Sequence, residues 1–429
     1  MYKSLLSLSI SVISVSAAFG QSAPKTVPPQ AQQQTVTPAQ QLIFSTGEDS
    51  LNTFGGVGHA KTVISGYGEA QYIKDINMQR ATANLRRAVL FVGHQFTGRI
   101  AFFSELEVEN AKIEAGGPVG EVAMEQAYLK FSLNPRQYIL AGLILPRVGI
   151  VNENHLPINY NGVDRPMVEQ FVIPSTWREI GVGFYGQTSA FPLAYSVIVA
   201  NGLNNANFQH GSGIEGGRAE GQFGSANNIS VNAAVQYFAG NWKFQVSGYM
   251  GGTTALGPRA ADSLQLESGL FGSPIYLAEA DVQYSNNGFS LKALGCNISL
   301  PKAHDINRAY DNNTPTQIYG AYGELAYNLF ELSKKEKLQS KQLNLFARYE
   351  VMDLNAAIPV SAVADGTLQQ THLIAGLGFL PIPNVVIKAD VRLMNTGAQN
   401  PALLVNPNPN ALPYNRNNTF INVGIGYSF

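Results

Sequence analysis

From Val63 to the last residue, apolar positions recur at every second place along the chain. In the closing stretch NTFINVGIGYSF, Ile421, Val423, Ile425, Tyr427 and Phe429 share one parity. Asn422, Gly424, Gly426 and Ser428 share the other. A period of two marks a strand with one apolar face and one small or polar face. Alternating or β-rich segments fall at 63–73, 84–96, 99–110, 122–133, 138–147, 177–187, 191–201, 228–238, 241–251, 275–285, 288–299, 317–329, 342–352, 369–380, 384–394 and 418–429. They predict about sixteen strands, each long enough to cross a bilayer when tilted. No segment keeps a helical period over several turns, and Pro is nearly absent from segment interiors, as ladder hydrogen bonding requires.

The connections sort by length. Thr97-Gly98, Asn134 to Gln137, Thr188-Ser189-Ala190, Ala239-Gly240-Asn241, Asn286-Asn287-Gly288 and Pro381-Ile382-Pro383 are tight. Between them lie long connections rich in Gly, Asn and Pro, such as 202–227, 252–274, 301–316 and 395–417. Short–long alternation places the long loops at one end, the arrangement of outer-membrane barrels, whereas a sandwich or propeller has no reason to sort them. One charged connection, ELSKKEKLQSK at 331–341, falls where a tight turn is expected and reads as a longer solvated turn.

The polar parities carry charge. Val385, Ile387, Ala389, Val391 and Leu393 oppose Lys388, Asp390 and Arg392; Leu343, Leu345, Ala347, Tyr349 and Val351 oppose Asn344, Arg348 and Glu350. Glu105, Glu107 and Glu109 share one face of the third segment, and Lys130 joins the inward set on the fourth. A charge facing mid-bilayer lipid costs about 2–4 kcal/mol, so these rows belong to a lumen, and about sixteen strands leave that lumen wet. Arg86 and Arg87 sit on opposite parities, so facing on the second segment stays open.

Composition agrees. Charged residues are 13% of 429, about half of what a soluble domain carries, while Gly numbers 42 and Phe plus Tyr 22 and 19. Net charge is −1, which gives no basic field for nucleic acid. The single Cys296 forms no internal disulfide and reads as a small wall residue. A basic start, an apolar run and Ala18-Phe19-Gly20 predict a signal peptide over 1–20. A Pro/Gln-rich disordered spacer is expected over 21–41, an N-terminal approach segment over 42–62 and the barrel over 63–429.

The connection 148–176, VGIVNENHLPINYNGVDRPMVEQFVIPST, mixes polar and apolar residues and holds rigid Pro. It is expected to fold inward and narrow the channel. Its candidate constriction residues are Asn152, Glu153, Asn154, His155, Asp164, Arg165 and Glu169. Facing them, the candidate pore wall is Glu105, Glu107, Glu109, Lys130, Arg348, Glu350, Lys388, Asp390 and Arg392.

FFSELEVENA (Phe102 to Ala111), GIVNENHLPINYNGVDRP (Gly149 to Pro166) and VIPSTWREIGVGFYG (Val172 to Gly186) resemble the phosphate-selective porin O and P family, especially its Bacteroidetes-type members, and the similarity extends over Val63 to Phe429. The resemblance implies a sixteen-stranded trimeric porin whose third loop folds inward, with an arginine ladder and a lysine cluster that select anions. This chain departs from that pattern. Its inward rows hold Glu69, Glu105, Glu107, Glu109, Glu179, Glu279, Asp281, Glu324, Glu350 and Asp390 against Lys130, Lys243, Lys292, Arg348, Lys388 and Arg392, so acids outnumber bases. The terminal Phe429 resembles the C-terminal signal read by the barrel-assembly machinery.

Catalytic and metal motifs are not legible. The six His residues, 59, 94, 155, 210, 304 and 372, have no HxxxH or HExxH spacing, and there is no GxSxG elbow. Gly211 to Gly216 matches GxGxxG but sits in an outer loop with no helix after it. The acid row Glu105, Glu107, Glu109 reads as a bias on ion passage in preference to a cation site. The sequence thus predicts an all-β, transmembrane antiparallel barrel in the bacterial outer membrane, set among lipid and lipopolysaccharide. It is expected to be a homotrimer without cofactor that passes small hydrophilic solutes or ions. A phosphate or anion-selective porin is the alternative; a barrel enzyme or an adhesive barrel is the alternative of another class.

Overall fold

The computed structural model describes residues 36–44, 61–112, 120–333, 335, 338, 340–360, 362–403 and 414–429. The expected signal peptide, most of the spacer and most of the approach segment lie outside these residues. Sixteen antiparallel strands form one closed barrel. They are β1 (Lys61–Asp75), β2 (Arg80–Gln95), β3 (Ile100–Glu109), β4 (Val122–Asn134), β5 (Gln137–Ile144), β6 (Glu179–Gln187), β7 (Leu193–Asn201), β8 (Ile229–Ala239), β9 (Trp242–Gly251), β10 (Ile275–Asn286), β11 (Phe289–Ser299), β12 (Gln317–Asn328), β13 (Gln342–Ala357), β14 (Gln369–Ile382), β15 (Val385–Thr396) and β16 (Asn417–Ser428). No described helix is long and apolar enough to cross a membrane; the strands do so.

Side-chain parity follows the sequence pattern. Ile421, Val423, Ile425 and Tyr427 on β16, Ile387, Val391 and Leu393 on β15, and Leu345 and Tyr349 on β13 all point outward and are 40–54% exposed. Such an apolar belt on every flank is stable only against lipid. Trp242, Tyr284 and Phe289 cluster beside the turns 240–241 and 287–288, with centroids 4.5 and 6.0 Å apart. They form part of an aromatic girdle at the short-turn rim.

Turns at one end are short and loops at the other long, with two exceptions. β12 ends at Asn328 and β13 starts at Gln342, so the charged connection at 331–341 is longer than a tight turn, as expected. The β1–β2 connection shrinks to 76–79 where a gap over 74–83 was expected. Asp75 explains it: its Oδ1 accepts from the backbone N–H of Asn77 (2.9 Å) and Met78 (3.0 Å), an Asx turn that lets both strands run on.

The spacer expectation is corrected at its end. Residues Pro38–Phe44 form helix α1, which packs on the lumen side of β1, β2 and β3. The tetrapeptide Thr37-Pro38-Ala39-Gln40 is a capping box: the Thr37 backbone N–H donates to Gln40 Oε1 (2.9 Å), and Pro38 takes the first turn. Ala39, Leu42 and Ile43 are buried, the Ala39 N–H donates to Ser65 Oγ (3.1 Å), and Lys130 Nζ donates to the Ile43 carbonyl.

Closure depends on a close approach at the β1–β16 seam. Gly66 and Phe429 exchange backbone hydrogen bonds of 2.9 Å in both directions. A Cβ at Gly66 would stand 2.2 Å from the Val89 carbonyl oxygen and 3.1 Å from the Phe429 ring. Backbone cannot yield there as a flexible side chain would. Gly66→Ala is therefore expected to lose the heat-modifiable folded band on cold SDS electrophoresis. Gly98→Ala, where the added Cβ meets nothing within 4 Å, keeps it.

Candidate functional site: a charge-clamped loop across the lumen

The loop 145–178 enters the barrel, and its polar groups bond to strands on all sides. Tyr160 Oη donates to Glu69 on β1 (2.7 Å), His155 meets Glu105 on β3 (3.0 Å) and Thr176 Oγ1 donates to Glu125 on β4. On the far wall, the Arg147 N–H donates to Asn232 on β8, and Gln245 on β9 donates to the Gly149 carbonyl. Lys292 on β11 donates to the Asn159 carbonyl, and Asn161 donates to Glu324 on β12. Glu350 on β13 accepts from the Val168 N–H (2.9 Å), Asp390 on β15 accepts from the Val163 N–H (2.6 Å), and Lys388 donates to the Tyr160 carbonyl (2.8 Å). Irregular backbone is tolerated inside a barrel only if its donors and acceptors are met, and the charged wall meets them.

Arg348 is the hub of this clamp. It is 1% exposed, lies 3.0 Å from Glu324 and 2.8 Å from Glu350, and donates to the Asn161 carbonyl at 3.0 Å. Glu169 is the second anchor. Its Oε2 accepts from the backbone N–H of Ile150 (2.8 Å) and Val151 (2.6 Å), and its Oε1 from Tyr322 Oη (2.6 Å). Asn152 ties the loop's two ends: its Nδ2 donates to the Pro146 carbonyl (2.7 Å), and its Oδ1 accepts from the Trp177 N–H (2.7 Å). The loop's apolar face, Val148, Ile150, Val168, Val172, Ile173 and Trp177, packs with Leu277, Leu294, Cys296 and Ile318 of the wall.

Polar space survives on the β1–β4 side. A cavity of about 460 Å³ opens toward the long loops, lined by Glu69, Arg86, Arg87, Glu107, Glu109, Glu125, Asp164, Arg165, Arg178, Arg218, Glu220 and Arg392. Below it, nearer the short turns, a gap of about 40 Å³ lies between Gln40 and Ile43 of α1 and Gln126, Tyr138 and Glu153. Within the larger cavity Arg87 sits 2.8 Å from Glu69, 3.0 Å from Glu107 and 3.6 Å from Glu109. Arg178 pairs with Glu220 at 3.0 Å. Arg165, only 6% exposed, has no hydrogen-bond partner at Nε or Nη2.

The expected site residues divide accordingly. Asp164, Arg165, Glu107, Glu109 and Arg392 line the upper cavity, and Glu153, paired with Arg147 at 2.7 Å, borders the lower gap. Asn154 bonds its backbone into a tight turn. The rest depart from expectation. Glu105, Lys130, Arg348, Glu350, Lys388 and Asp390 point inward as the parity required, but α1 or the loop covers them, so they clamp and do not border water. The acid row is also corrected: Glu105 is fully buried away from the cavity, Glu107 lines it at 4% exposure, and Glu109 is the most open of the three.

Bulges hid other residues from a parity reading. The β1–β2 register shifts between Glu69 and Ala70, so that Arg86 and Arg87 both reach the cavity. The β3–β4 register shifts between Glu105 and Leu106, which turns both Glu125 and Gln126 inward. A bulge sets two residues opposite one and re-aims side chains. Two adjacent polar residues within an alternating strand, Arg86-Arg87 and Glu125-Gln126, were the available signal.

No family model matches the chain. It is 28% identical over 339 residues to an uncharacterised protein of Aquifex aeolicus (strain VF5), over 76% of this chain and 74% of that one. Among solved structures, the outer-membrane channel DcaP of Acinetobacter baumannii aligns with TM-score 0.52 and 12% identity, over 90% of this chain and all of that one. The anion-selective porin of Comamonas acidovorans aligns with TM-score 0.51 and 10% identity, covering 86% and 100%. The trimer form of OmpT, an outer-membrane protein of Vibrio cholerae, aligns with TM-score 0.51 and 10% identity, covering 87% and 100%. The fold is thus that of a porin-type barrel, and with its lipid-facing belt it places the chain in the bacterial outer membrane.

Two outcomes follow for the clamp. Arg348→Ala leaves Glu324 and Glu350 buried without their cation, a cost of about 3–5 kcal/mol. The thermal midpoint in detergent is expected to fall and amide exchange over 148–176 to rise, with Arg348→Lys in between because its ammonium cannot bridge both acids in the same geometry. The second concerns Glu169, whose carboxyl burial pushes up to about 7 despite the lowering hydrogen bonds from Tyr322 and Val151. In an undocked loop it returns to the ordinary value of about 4.3. Its docking increment is therefore full below about pH 4.3 and lost as pH rises through about 7. In a Trp242→Phe background, acrylamide quenching of the buried Trp177 is expected to increase across that window, and Glu169→Gln to abolish the pH dependence.

Proposed function

We propose that this barrel is a diffusion porin for small hydrophilic solutes and ions, with loop 145–178 as its constriction. The observation that carries this reading is the polar cavity of about 460 Å³ left between that loop and the β1–β4 wall, lined by charges of both signs. Opposed charges across a narrow polar passage orient a solute's dipole, while the loop sets the size limit. Transport is favoured over catalysis because the lining is dominated by opposed charges of both signs, the arrangement that orients a passing solute. Assembly as a homotrimer, membrane insertion through Phe429 and contact with lipopolysaccharide belong to the same proposal.

A second reading, anion or phosphate preference, is favoured by one observation. Most lumen acids already hold loop donors or Arg87 and Arg348, whereas Arg165 keeps unpartnered N–H groups beside the cavity. Counting inward acids against bases therefore overstates the negative field that a solute meets.

Planar-bilayer recording under a KCl gradient tests both. Steady conductance is expected, with the reversal potential of Arg165→Gln moved toward the cation side relative to wild type. Zero conductance from folded protein would sink the porin reading in favour of a plugged adhesive barrel. An unmoved reversal potential would remove Arg165 from the solute path, and hydrolysis of peptide or lipid by the pure protein would restore the enzyme class.

A further inference from the structure

Behind the wall of the upper cavity, which Glu125 lines, three ligand-type side chains from three separate elements converge. Glu105 on β3, Glu125 at the β4 bulge and His155 on the loop are 0%, 0% and 2% exposed. His155 Nε2 lies 3.0 Å from Glu105 Oε1 and 3.7 Å from Glu125 Oε2, and one ligand atom from each residue falls within 4.8 Å of the other two. The other ring nitrogen, Nδ1, is 3.0 Å from the Asn152 carbonyl. A carbonyl only accepts, so Nδ1 carries a proton. Nε2 then meets the two carboxyl groups as the second N–H of an imidazolium, as a lone pair accepting from a protonated carboxyl, or as a lone pair that shares a cation with them.

Two further observations favour the cation. Glu125 Oε2, which faces His155 Nε2, is buried without a hydrogen-bond partner, although the residue's other oxygen holds Thr176. The Tyr67 hydroxyl is also buried and unpartnered, and its ring packs 5.9 Å from that of His155. An unmet carboxylate oxygen in a dry site is costly. The neighbouring cations do not meet it. Arg87 is taken by Glu69, Glu107 and Glu109, and Arg178 stands 3.9 Å from Oε1 and pairs with Glu220.

We infer that Glu105, Glu125 and His155 bind one divalent transition-metal cation of the Zn²⁺ class. One imidazole and two carboxylates suit zinc and its first-row neighbours, and imidazole is a poor ligand for calcium or magnesium. Bonds of about 2.0–2.2 Å to a tetrahedral ion set ligand atoms about 3.4 Å apart, between the 3.0 and 3.7 Å found here. The Nδ1–carbonyl bond is the outer support that metal-bound imidazoles use to fix their tautomer. The ligands come from two strands and a loop, so no local spacing could announce the site. The bound cation would also tie the loop to the β3–β4 wall.

The test is metal titration of the full-length protein in detergent after EDTA treatment and dialysis, independent of whether the barrel conducts. One Co²⁺ per chain is expected, with visible d–d absorption displaced by Zn²⁺. Glu125→Gln keeps the side-chain size and every histidine, and is expected to weaken binding by at least about tenfold. His155→Gln should remove the absorption. Heat-modifiable electrophoresis verifies that each variant folds, and Glu105→Gln serves if Glu125→Gln does not. Wild type that takes up no Co²⁺ or Zn²⁺ at millimolar concentration overturns the site and leaves a proton shared among the imidazole and the two carboxyl groups. Binding unchanged in the folded glutamine variants also overturns it, by placing the metal elsewhere.

Discussion

Placing thirty-odd residues of irregular chain inside a barrel creates a debt of unmet backbone donors and acceptors, and most of this architecture follows from how that debt is met. Lumen charges supply much of the answer. Glu350 and Asp390 accept from loop N–H groups, Lys292, Lys388 and Arg348 donate to loop carbonyls, and Glu169 returns the favour from the loop's own side. Such pairs are worth little for net stability compared with apolar replacements, because desolvation offsets their attraction. Their value here is geometric. They fix one position of the loop against many strands, where an apolar contact alone would allow it to slide.

The same residues therefore play two parts. A charge held in a hydrogen bond to the loop contributes less field to the water beside it than its formal charge suggests, since its potential is compensated at short range. On the proposed porin reading, what a solute meets is the remainder: Arg165 and Arg392, Glu109 and Asp164, around a cavity in which Arg87 is already surrounded by acids. Changing a clamp residue moves the loop as well as the field. Changing Arg165, which makes no ion pair among the described residues, comes closer to changing the field alone.

The barrel was legible because its signal repeats. Period-two alternation, lipid-facing rows such as Ile421 to Tyr427 and the sorted connection lengths each occur many times over, so no single ambiguous strand could overturn the fold. The site was legible only in part because it lies where those repeats break. Parity reading assumes an unbroken ladder, and bulges beside Glu69 and Glu105 bring in Arg86 with Arg87 and Glu125 with Gln126. Helix α1 was missed for a related reason. Its composition is that of the polar spacer before it, and only the Thr37–Gln40 capping box marks the change, while the burial of Ala39, Leu42 and Ile43 comes from strands far along the chain.

The lumen is thus narrowed at two levels by two different kinds of contact. The upper level, loop 145–178, is held by charge and by the apolar cluster around Val168, Ile173 and Trp177. The lower level, α1, rests on an apolar patch with Phe91 and Phe103 beneath it, and its polar ties among the described residues include Ala39 to Ser65 and Lys130 to Ile43. A seven-residue helix is too short to be stable by itself. Its position is therefore set by the wall. On the proposed porin reading, a solute that clears the charged cavity therefore meets a second obstruction of a different kind, held to the wall mainly by apolar contact.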